Sequence, residues 1–251
     1  MSSIYNPATG ETIAEIKRDE SGELEAAVRR AREAQPQWAA APFREKQALF
    51  KKLVREIGHR EKRLAEAITR CTGKTRIDAL GTEVLPAAIA ARYYPGAARR
   101  FMRPRKQKRS SVLFFNKSSS LHREPYGVVG IISPWNYPFG IPFHEVTQAL
   151  AVGNAVVLKV ATQAQQVGEE LASLFHESGF EPALLQLVHI PGSIAGDAFF
   201  ASGVDKLFFT GSVATGKQLM GKASATLTPV NLELRGNDAM TPCRDANPKR
   251  A

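Results

Sequence analysis

The chain has 251 residues, and its 43% of hydrophobic and 23% of charged residues indicate a folded globular protein rather than a disordered or membrane one. No run approaches the roughly 18 apolar residues that a membrane span requires, and the N-terminus resembles no signal peptide. Two widely separated cysteines, Cys71 and Cys243, provide no disulfide framework. We therefore expect a cytoplasmic protein that does not enter a membrane.

The net charge of +10 is the unusual property of this composition. Seven of the eleven residues 99–109 are cations: Arg99, Arg100, Arg103, Arg105, Lys106, Lys108 and Arg109. Such a cluster can attract nucleic acid, but Phe101 is the one aromatic residue within it and no nucleic-acid-binding motif accompanies it. We expect a solvated linker or a subunit contact. A contact with a polyanion or an acidic partner is the less favoured alternative, and we expect no nucleic-acid ligand.

The first hundred residues predict a short hairpin followed by a helical layer. The hairpin turns at Asn6–Gly10. Apolar residues recur at three- and four-residue spacing in three later segments, which predicts helices over residues 23–35, 43–60 and 61–71. Breaker residues are expected to punctuate this layer at Pro36, Pro42, Gly73 and Pro95.

Beyond the basic cluster, the segments SVLFFN and SSSLHREP predict two short strands, which would form a protruding hairpin over residues 110–124. A regular alternation then predicts strands over residues 126–133, 155–160, 183–190, 205–211 and 229–234. The segments between them predict helices over residues 141–152, 163–179, 193–202 and 212–224.

These strands are apolar on both faces, as a parallel sheet covered by helices requires. The sequence therefore predicts an α/β fold with a doubly wound, mostly parallel, Rossmann-like sheet, preceded by the helical layer and the hairpin. We divide the chain into the N-terminal layer 1–109, the hairpin 110–124, the nucleotide-binding sheet 125–238 and a tail 239–251. The ligand crevice of such a sheet lies at the carboxyl ends of the strands.

Two of the turns that follow predicted strands contain residues suited to a ligand site. In the loop 132–143, prolines bracket Asn136, whose side-chain N–H could stabilise a developing oxyanion; a packed Pro-aromatic turn is the alternative. Lys159 closes an apolar strand and could reach ribose hydroxyls or phosphate. Taken alone, such a lysine is more often a solvated strand end.

Two further turns have the same placement. In FFTGSVATG, Gly211, Ser212 and Gly216 lie between a strand and a helix start, where backbone N–H groups favour a phosphate, although the spacing differs from GxGxxG. Glu233 ends an apolar strand and is a candidate general base. A structural salt bridge, for instance to Arg235, is the equally weighted alternative.

Taken together, SPWNYPF, VVLK, FFTGSVATG and LELRGND resemble the NAD(P)-dependent aldehyde dehydrogenase superfamily, and the similarity begins at YNPATGE. The resemblance implies a mechanism in which a cysteine attacks the aldehyde, hydride passes to nicotinamide and water hydrolyses the thioester. Asn136 would hold the oxyanion and Glu233 would activate the water. Lys159 would bind the adenosine ribose, and Gly211 and Ser212 would meet the pyrophosphate.

The same resemblance assigns the walls of the cofactor cleft. Ile132, Pro134 and Trp135 would line it, and Gly192 would allow the helix on the adenine side to approach closely. Family members that prefer NAD often have a carboxylate at the position of Thr162, which binds the ribose hydroxyls and repels the 2′-phosphate of NADP. We therefore expect NAD or NADP as cofactor, with NADP tolerated. We expect no metal ion.

The sequence also departs from the family pattern. The family nucleophile, in a Gly-Gln-x-Cys context, would lie beyond residue 251, and Cys243 has no such surroundings. Arg235 and Ile190 stand where the family has glycines, and Pro242 and Pro248 interrupt the tail, which we interpret as degenerate.

We therefore expect a truncated aldehyde dehydrogenase that keeps the cofactor site, lacks the catalytic domain and is inactive alone. The alternative is a nucleotide-binding or interaction subunit that forms a homo- or hetero-oligomer, for example with a full-length relative, through residues 110–124.

Overall fold

A five-stranded parallel sheet lies at the centre of the fold, which confirms the predicted α/β class. The computed structural model describes residues 1–20, 22–107, 115–236 and 239–247. The sheet strands are β5 (Val128–Ser133), β6 (Ala155–Val160), β7 (Leu185–Leu187), β8 (Lys206–Gly211) and β9 (Val230–Leu234). They are hydrogen-bonded in the order β7-β6-β5-β8-β9, and each pair is parallel. The strand β7 is shorter than the predicted 183–190, because a 3₁₀ turn occupies Pro182–Leu184.

Two pairs of crossover helices cover the two faces of this sheet. The helices are α6 (Gly140–Ala151), α7 (Gln165–Glu177), α8 (Gly192–Ala201) and α9 (Val213–Ala223). The strand order reverses at β5, so α6 and α7 cover one face, and α8 and α9 cover the other. All six residues of β5 and of β6 are buried, as strands covered on both faces must be.

The N-terminal part forms a hairpin and a helical layer. Strands β1 (Ser2–Tyr5) and β2 (Thr12–Ile16) pair antiparallel. The helices are α1 (Glu23–Ala40), α2 (Phe43–His59), α3 (Glu61–Thr72), α4 (Arg76–Ala79) and α5 (Leu85–Phe101), with a π-helical turn at Leu80–Val84. Helix α5 packs on α2 and α6, α3 packs on α7, and α1 packs against β6. This layer therefore supports the sheet mainly through the helices that cover it.

Two of the four predicted breakers do not break their helices. Pro42 and Gly73 lie at helix ends, but Pro36 lies inside α1 and Pro95 inside α5. Tertiary contacts hold the last turn of α1 beyond Pro36. The indole Nε1 of the buried Trp38 donates to the carbonyl of Leu150 in α6 at 2.9 Å. Such packing outweighs the lost backbone hydrogen bond that makes an internal proline unfavourable.

At the place of the predicted hairpin the structure describes one antiparallel strand pair, which starts earlier than the sequence predicts. Strand β3 (Arg105–Lys106) pairs antiparallel with β4 (Ser120–Leu121). The first predicted strand, 111–116, lies mostly outside the described residues, and its last two positions form a turn. Part of the basic cluster is therefore a strand of the hairpin rather than a linker. No helix among the described residues is long and apolar enough to cross a membrane.

Candidate functional site

A cleft of about 1010 Å³ opens at the carboxyl edge of the sheet. It lies where the strand order reverses beside β5, the position at which open α/β sheets bind ligands. Most of the predicted site residues line it, namely Ile132, Pro134, Trp135, Asn136, Lys159, Gly192, Gly211, Ser212 and Glu233. Thr162 is not among the lining residues. It starts a short 3₁₀ turn just after Ala161, which does line the cleft.

One wall of the cleft is the loop between β5 and α6, which carries Asn136. The side-chain Oδ1 of this exposed residue accepts a hydrogen bond from the Tyr137 N–H at 3.1 Å. Its amide NH₂ is therefore the end that can donate to a ligand. Trp135 is 52% exposed, so its ring is also available at the cleft surface.

A buried ion pair from the helical layer holds this loop. The Glu83 carboxylate is fully buried and accepts the N–H groups of Phe139 and Gly140, each at 2.9 Å. Its other oxygen accepts from Lys74 Nζ at 2.7 Å. The same ammonium lies 3.6 Å from the ring centroid of Tyr137. A carboxylate at the first turn of α6 also suits the helix dipole, so this pair fixes both the loop and the helix that follows it.

The opposite wall suits a phosphorylated ligand. Ser212 caps α9, and its Oγ accepts from the Thr215 N–H at 3.2 Å; both residues line the cleft, so the N-terminal end of this helix lies at the cleft. Lys159 is only 6% exposed, and burial lowers the pKa of its ammonium. A Cβ added at Gly192 would lie 3.5 Å from Lys159 Nζ, an ordinary van der Waals contact, so the start of α8 lies next to this ammonium.

The third wall brings two carboxyl groups together. Glu233 is exposed to the cleft at the end of β9 and pairs in register with Thr210 of β8. The hydroxyl of Thr210 donates to Glu145 Oε1 in α6 at 3.1 Å. Burial, reinforced by the nearby Glu233 charge, raises the pKa of Glu145 to about 7. One of the two carboxyls is therefore exposed, and the other is partly protonated at neutral pH.

Several of these residues escape prediction from the sequence. His144 and Glu145 stand in an otherwise apolar helix segment, and a carboxylate there is the signal that could have indicated the site. Burial lowers the pKa of His144, so its imidazole is neutral at neutral pH. Lys74 and Glu83 give no such signal, because they reach the loop only through the packing of distant helices.

The residues that depart from the family pattern lie in different parts of the structure. Arg235 lines the cleft, but no salt bridge joins it to Glu233 in the described parts of the chain. Ile190 is buried before α8. Neither cysteine lines the cleft: Cys71 is buried in α3, where desolvation raises the pKa of its thiol to about 11, and Cys243 is exposed in the tail.

Comparison with known proteins agrees with this arrangement. The profile of the "Aldehyde dehydrogenase family" matches residues 2–251. A 4,4'-diapolycopene aldehyde oxidase from Methylomonas sp is 33% identical over 246 residues, which are 98% of this chain and 46% of that protein. The chain thus spans about half the length of this relative.

Solved structures show the same fold. An NAD-dependent benzaldehyde dehydrogenase from Corynebacterium glutamicum is 30% identical with a TM-score of 0.85, over 93% of this chain and 50% of that one. An NADP-dependent glyceraldehyde-3-phosphate dehydrogenase from Bacillus halodurans, complexed with NADP, is 31% identical with a TM-score of 0.86, over 94% and 49%. The cleft, the sheet around it and these similarities lead to one conclusion: the chain belongs to the aldehyde dehydrogenase family.

Proposed function

We propose that this chain carries the NAD(P)-binding and water-activating part of an enzyme that oxidises an aldehyde to a carboxylate. The observation that supports this most is the convergence of the oxyanion candidate Asn136, the base candidate Glu233 and the phosphate-binding start of α9 on one cleft. The three relatives described above are named as dehydrogenases or oxidases of aldehydes. Because the chain spans about half their length, the complete reaction is part of the proposal.

The residues present fit a nicotinamide dinucleotide. Lys159, which lines the cleft near the end of β6, would donate to ribose hydroxyls, and Gly192 lies next to its ammonium. The N–H groups at the start of α9, next to Ser212, would bind the pyrophosphate. When bound, the dinucleotide supplies a hydride acceptor. Thr162 carries no negative charge, so we expect both NAD and NADP to bind.

Asn136 and Glu233 would act on the substrate side of the cleft. The NH₂ group of Asn136 would donate to the oxygen that becomes negatively charged during attack on the aldehyde carbon, and its loop is already held by Glu83. Glu233 would accept a proton from the water that releases the acid product. Its exposure at the end of β9 leaves the carboxylate open to that water.

Calorimetric titration of the chain with NAD and with NADP tests the cofactor assignment. We expect both to bind, and Lys159→Met to weaken binding by about tenfold or more, because a charge-assisted hydrogen bond to the ribose is lost. Lys62→Met, which removes an exposed lysine of α3 far along the chain from the cleft residues, is the control and should leave the affinity unchanged. Binding of neither cofactor to the unaltered chain would refute the assignment.

A second experiment concerns turnover by the 251-residue polypeptide. Neither of its cysteines lines the cleft, so we expect no NAD(P)H from an aldehyde substrate even when cofactor binds. NAD(P)H absorbance measured with benzaldehyde and with a short aliphatic aldehyde checks this. NAD(P)H production that disappears in Cys243→Ser would show instead that the tail supplies a nucleophile.

A further inference from the structure

A second cavity adjoins the cofactor cleft at one residue. This groove, about 690 Å³, is lined mainly by apolar side chains of α5, α6 and β8, among them Tyr94 and Phe208. Glu145 lines both the groove and the cleft. The side chain therefore stands in the wall between the two spaces, with Glu233 on the cleft side.

The surroundings of Glu145 leave its carboxyl group incompletely satisfied. Oε1 accepts from the Thr210 hydroxyl at 3.1 Å, whereas Oε2 is buried and has no hydrogen-bond partner among the described residues. A buried carboxylate oxygen without a donor is costly, so the group favours its protonated form. Both burial and the Glu233 charge contribute to the raised pKa of about 7. Purely structural carboxylates are instead paired, as Glu83 is with Lys74.

We propose that Glu145 and Glu233 form a proton-exchanging carboxyl pair, in which Glu145 takes up the proton that Glu233 removes from water and passes it on to the groove. The proposal rests on the proposed role of Glu233 as a base. It adds a proton-transfer residue that belongs to α6 rather than to the strand ends. Thr210, which pairs in register with Glu233, donates to Glu145 and orients its carboxyl group.

Water gives one proton to the Glu233 carboxylate while its oxygen forms a bond to the acyl carbon of the thioester; the carbon–sulfur bond then breaks, and its electron pair leaves with the thiolate of the cysteine that the family mechanism requires. The protonated Glu233 then transfers this proton to an ionised Glu145, and the carboxylate form of Glu233 is restored. A pKa of about 7 populates the accepting and the donating forms of Glu145 almost equally at neutral pH. Gln148, exposed one turn further along α6, lines the groove where the proton would leave.

Other titratable groups surround the pair. His144, Lys159 and Arg235 share the cleft with it. Tyr93, Tyr94, Arg123 and Glu124 line the groove, and the Glu83–Lys74 ion pair lies at the start of α6. The low pKa of His144 keeps this neighbour neutral at the pH where Glu145 titrates. Glu233 is the carboxylate that bears on the pKa of Glu145.

The pair can be tested in the chain as it exists by carbon-13 NMR of labelled glutamate carboxyl groups during a pH titration. We expect one glutamate to titrate near pH 7, and this signal to disappear in Glu145→Gln. In Glu233→Gln the midpoint should fall by about half a pH unit or more, because the neighbouring charge is removed. Thr210→Val should raise it, because the carboxylate loses a donor. Glu11→Gln, exposed in the first hairpin, is the matched control.

Two results would overturn the pair. One is that no glutamate titrates above about pH 6; the other is a Glu145 midpoint that is the same in the unaltered chain and in Glu233→Gln. Thr210→Val provides an independent readout if Glu233→Gln folds poorly. Calorimetry with NAD and NADP on the unaltered chain separates the two proposals, since absent cofactor binding refutes the proposed function while a coupled titration would still establish the pair.

Discussion

Two glutamates at the same helix, α6, differ in how fully their carboxyl groups are hydrogen-bonded. Glu83 lies at its start, where one lysine and two backbone N–H groups satisfy its carboxylate. Glu145 lies in its middle, where one carboxyl oxygen has a threonine partner and the other has none among the described residues. Both groups are largely removed from water, but only Glu83 has the partners that offset the cost of burying a charge.

This difference distinguishes a glutamate that holds the site in place from one that can take part in proton transfer. A fully paired carboxylate keeps its charge and fixes geometry, which is what the Asn136 loop needs if its amide is to meet an oxyanion without reorganisation. An incompletely paired carboxyl changes protonation state near neutral pH, which is what proton transfer needs. Burial does not distinguish the two glutamates. Their hydrogen-bond partners do.

The largest expected effect concerns the supporting glutamate. Glu83→Ala leaves Lys74 and two backbone N–H groups without their partner, so we expect the free energy of unfolding to fall by about 3–5 kcal/mol. Asp197→Ala is the matched control. It breaks an ion pair with Lys222 of the same 2.7 Å length but with both side chains largely exposed, and should cost less than about 1 kcal/mol. Urea unfolding measures both, and equal losses would contradict the distinction.

The next effect is a pH dependence caused by Glu145. Its pKa is raised in the folded chain from 4.5 to about 7, so the folded state holds a proton that the unfolded state has already lost in this range. The stability contributed by this group is therefore complete below pH 4.5 and is lost as the pH rises to about 7. The loss amounts to about 3 kcal/mol. Relative to Glu145→Gln, the unaltered chain should become less stable across this window, as urea unfolding at several pH values would reveal. A constant difference would mean that Glu145 titrates normally.

The smallest effect concerns the contact between Lys74 and the Tyr137 ring. Tyr137→Leu removes the aromatic face but keeps the Lys74–Glu83 ion pair, so we expect a loss of about 1 kcal/mol in unfolding free energy. Tyr126→Leu, which removes the ring whose centroid lies 4.7 Å from Lys206 Nζ, is a comparable control. A loss as large as that of Glu83→Ala would show that the ring, rather than the carboxylate, holds the loop.

The cleft was largely predictable because its residues follow strands. Alternating apolar segments indicate a parallel sheet, and the ends of such strands must meet at one edge, so Asn136, Lys159 and Glu233 could be grouped before any coordinates. Glu83 could not be grouped with them. Fifty-six positions separate it from Phe139 in the chain, and only the packing of α5 against α6 brings its turn to the loop.

Local signals also failed where tertiary contacts decide the outcome. Pro36 reads as a helix end, yet the buried Trp38 continues α1 by bonding to Leu150. The sequence indicates a solvated linker or a subunit contact at Arg105 and Lys106; both residues are exposed, but they form a short strand paired with Leu121 and Ser120. Charge and breaker residues describe what a segment prefers alone, and these segments are held by distant partners.

The π-helical turn at Leu80–Val84 has a consequence for insertions and deletions. Arg76 to Phe101 is one continuous helical run, and a π-turn contains one residue more than an α-turn at the same place. Deleting one residue there would let the backbone close as a regular helix, with no hydrogen bond left open. Because five residues of a π-turn cover nearly the same rotation as four of an α-turn, the helical segments on either side would keep nearly the same faces. A one-residue deletion within α5 would instead rotate one side of the helix by about 100° relative to the other, so that Glu83 and the face of α5 that packs on α6 would no longer point the same way.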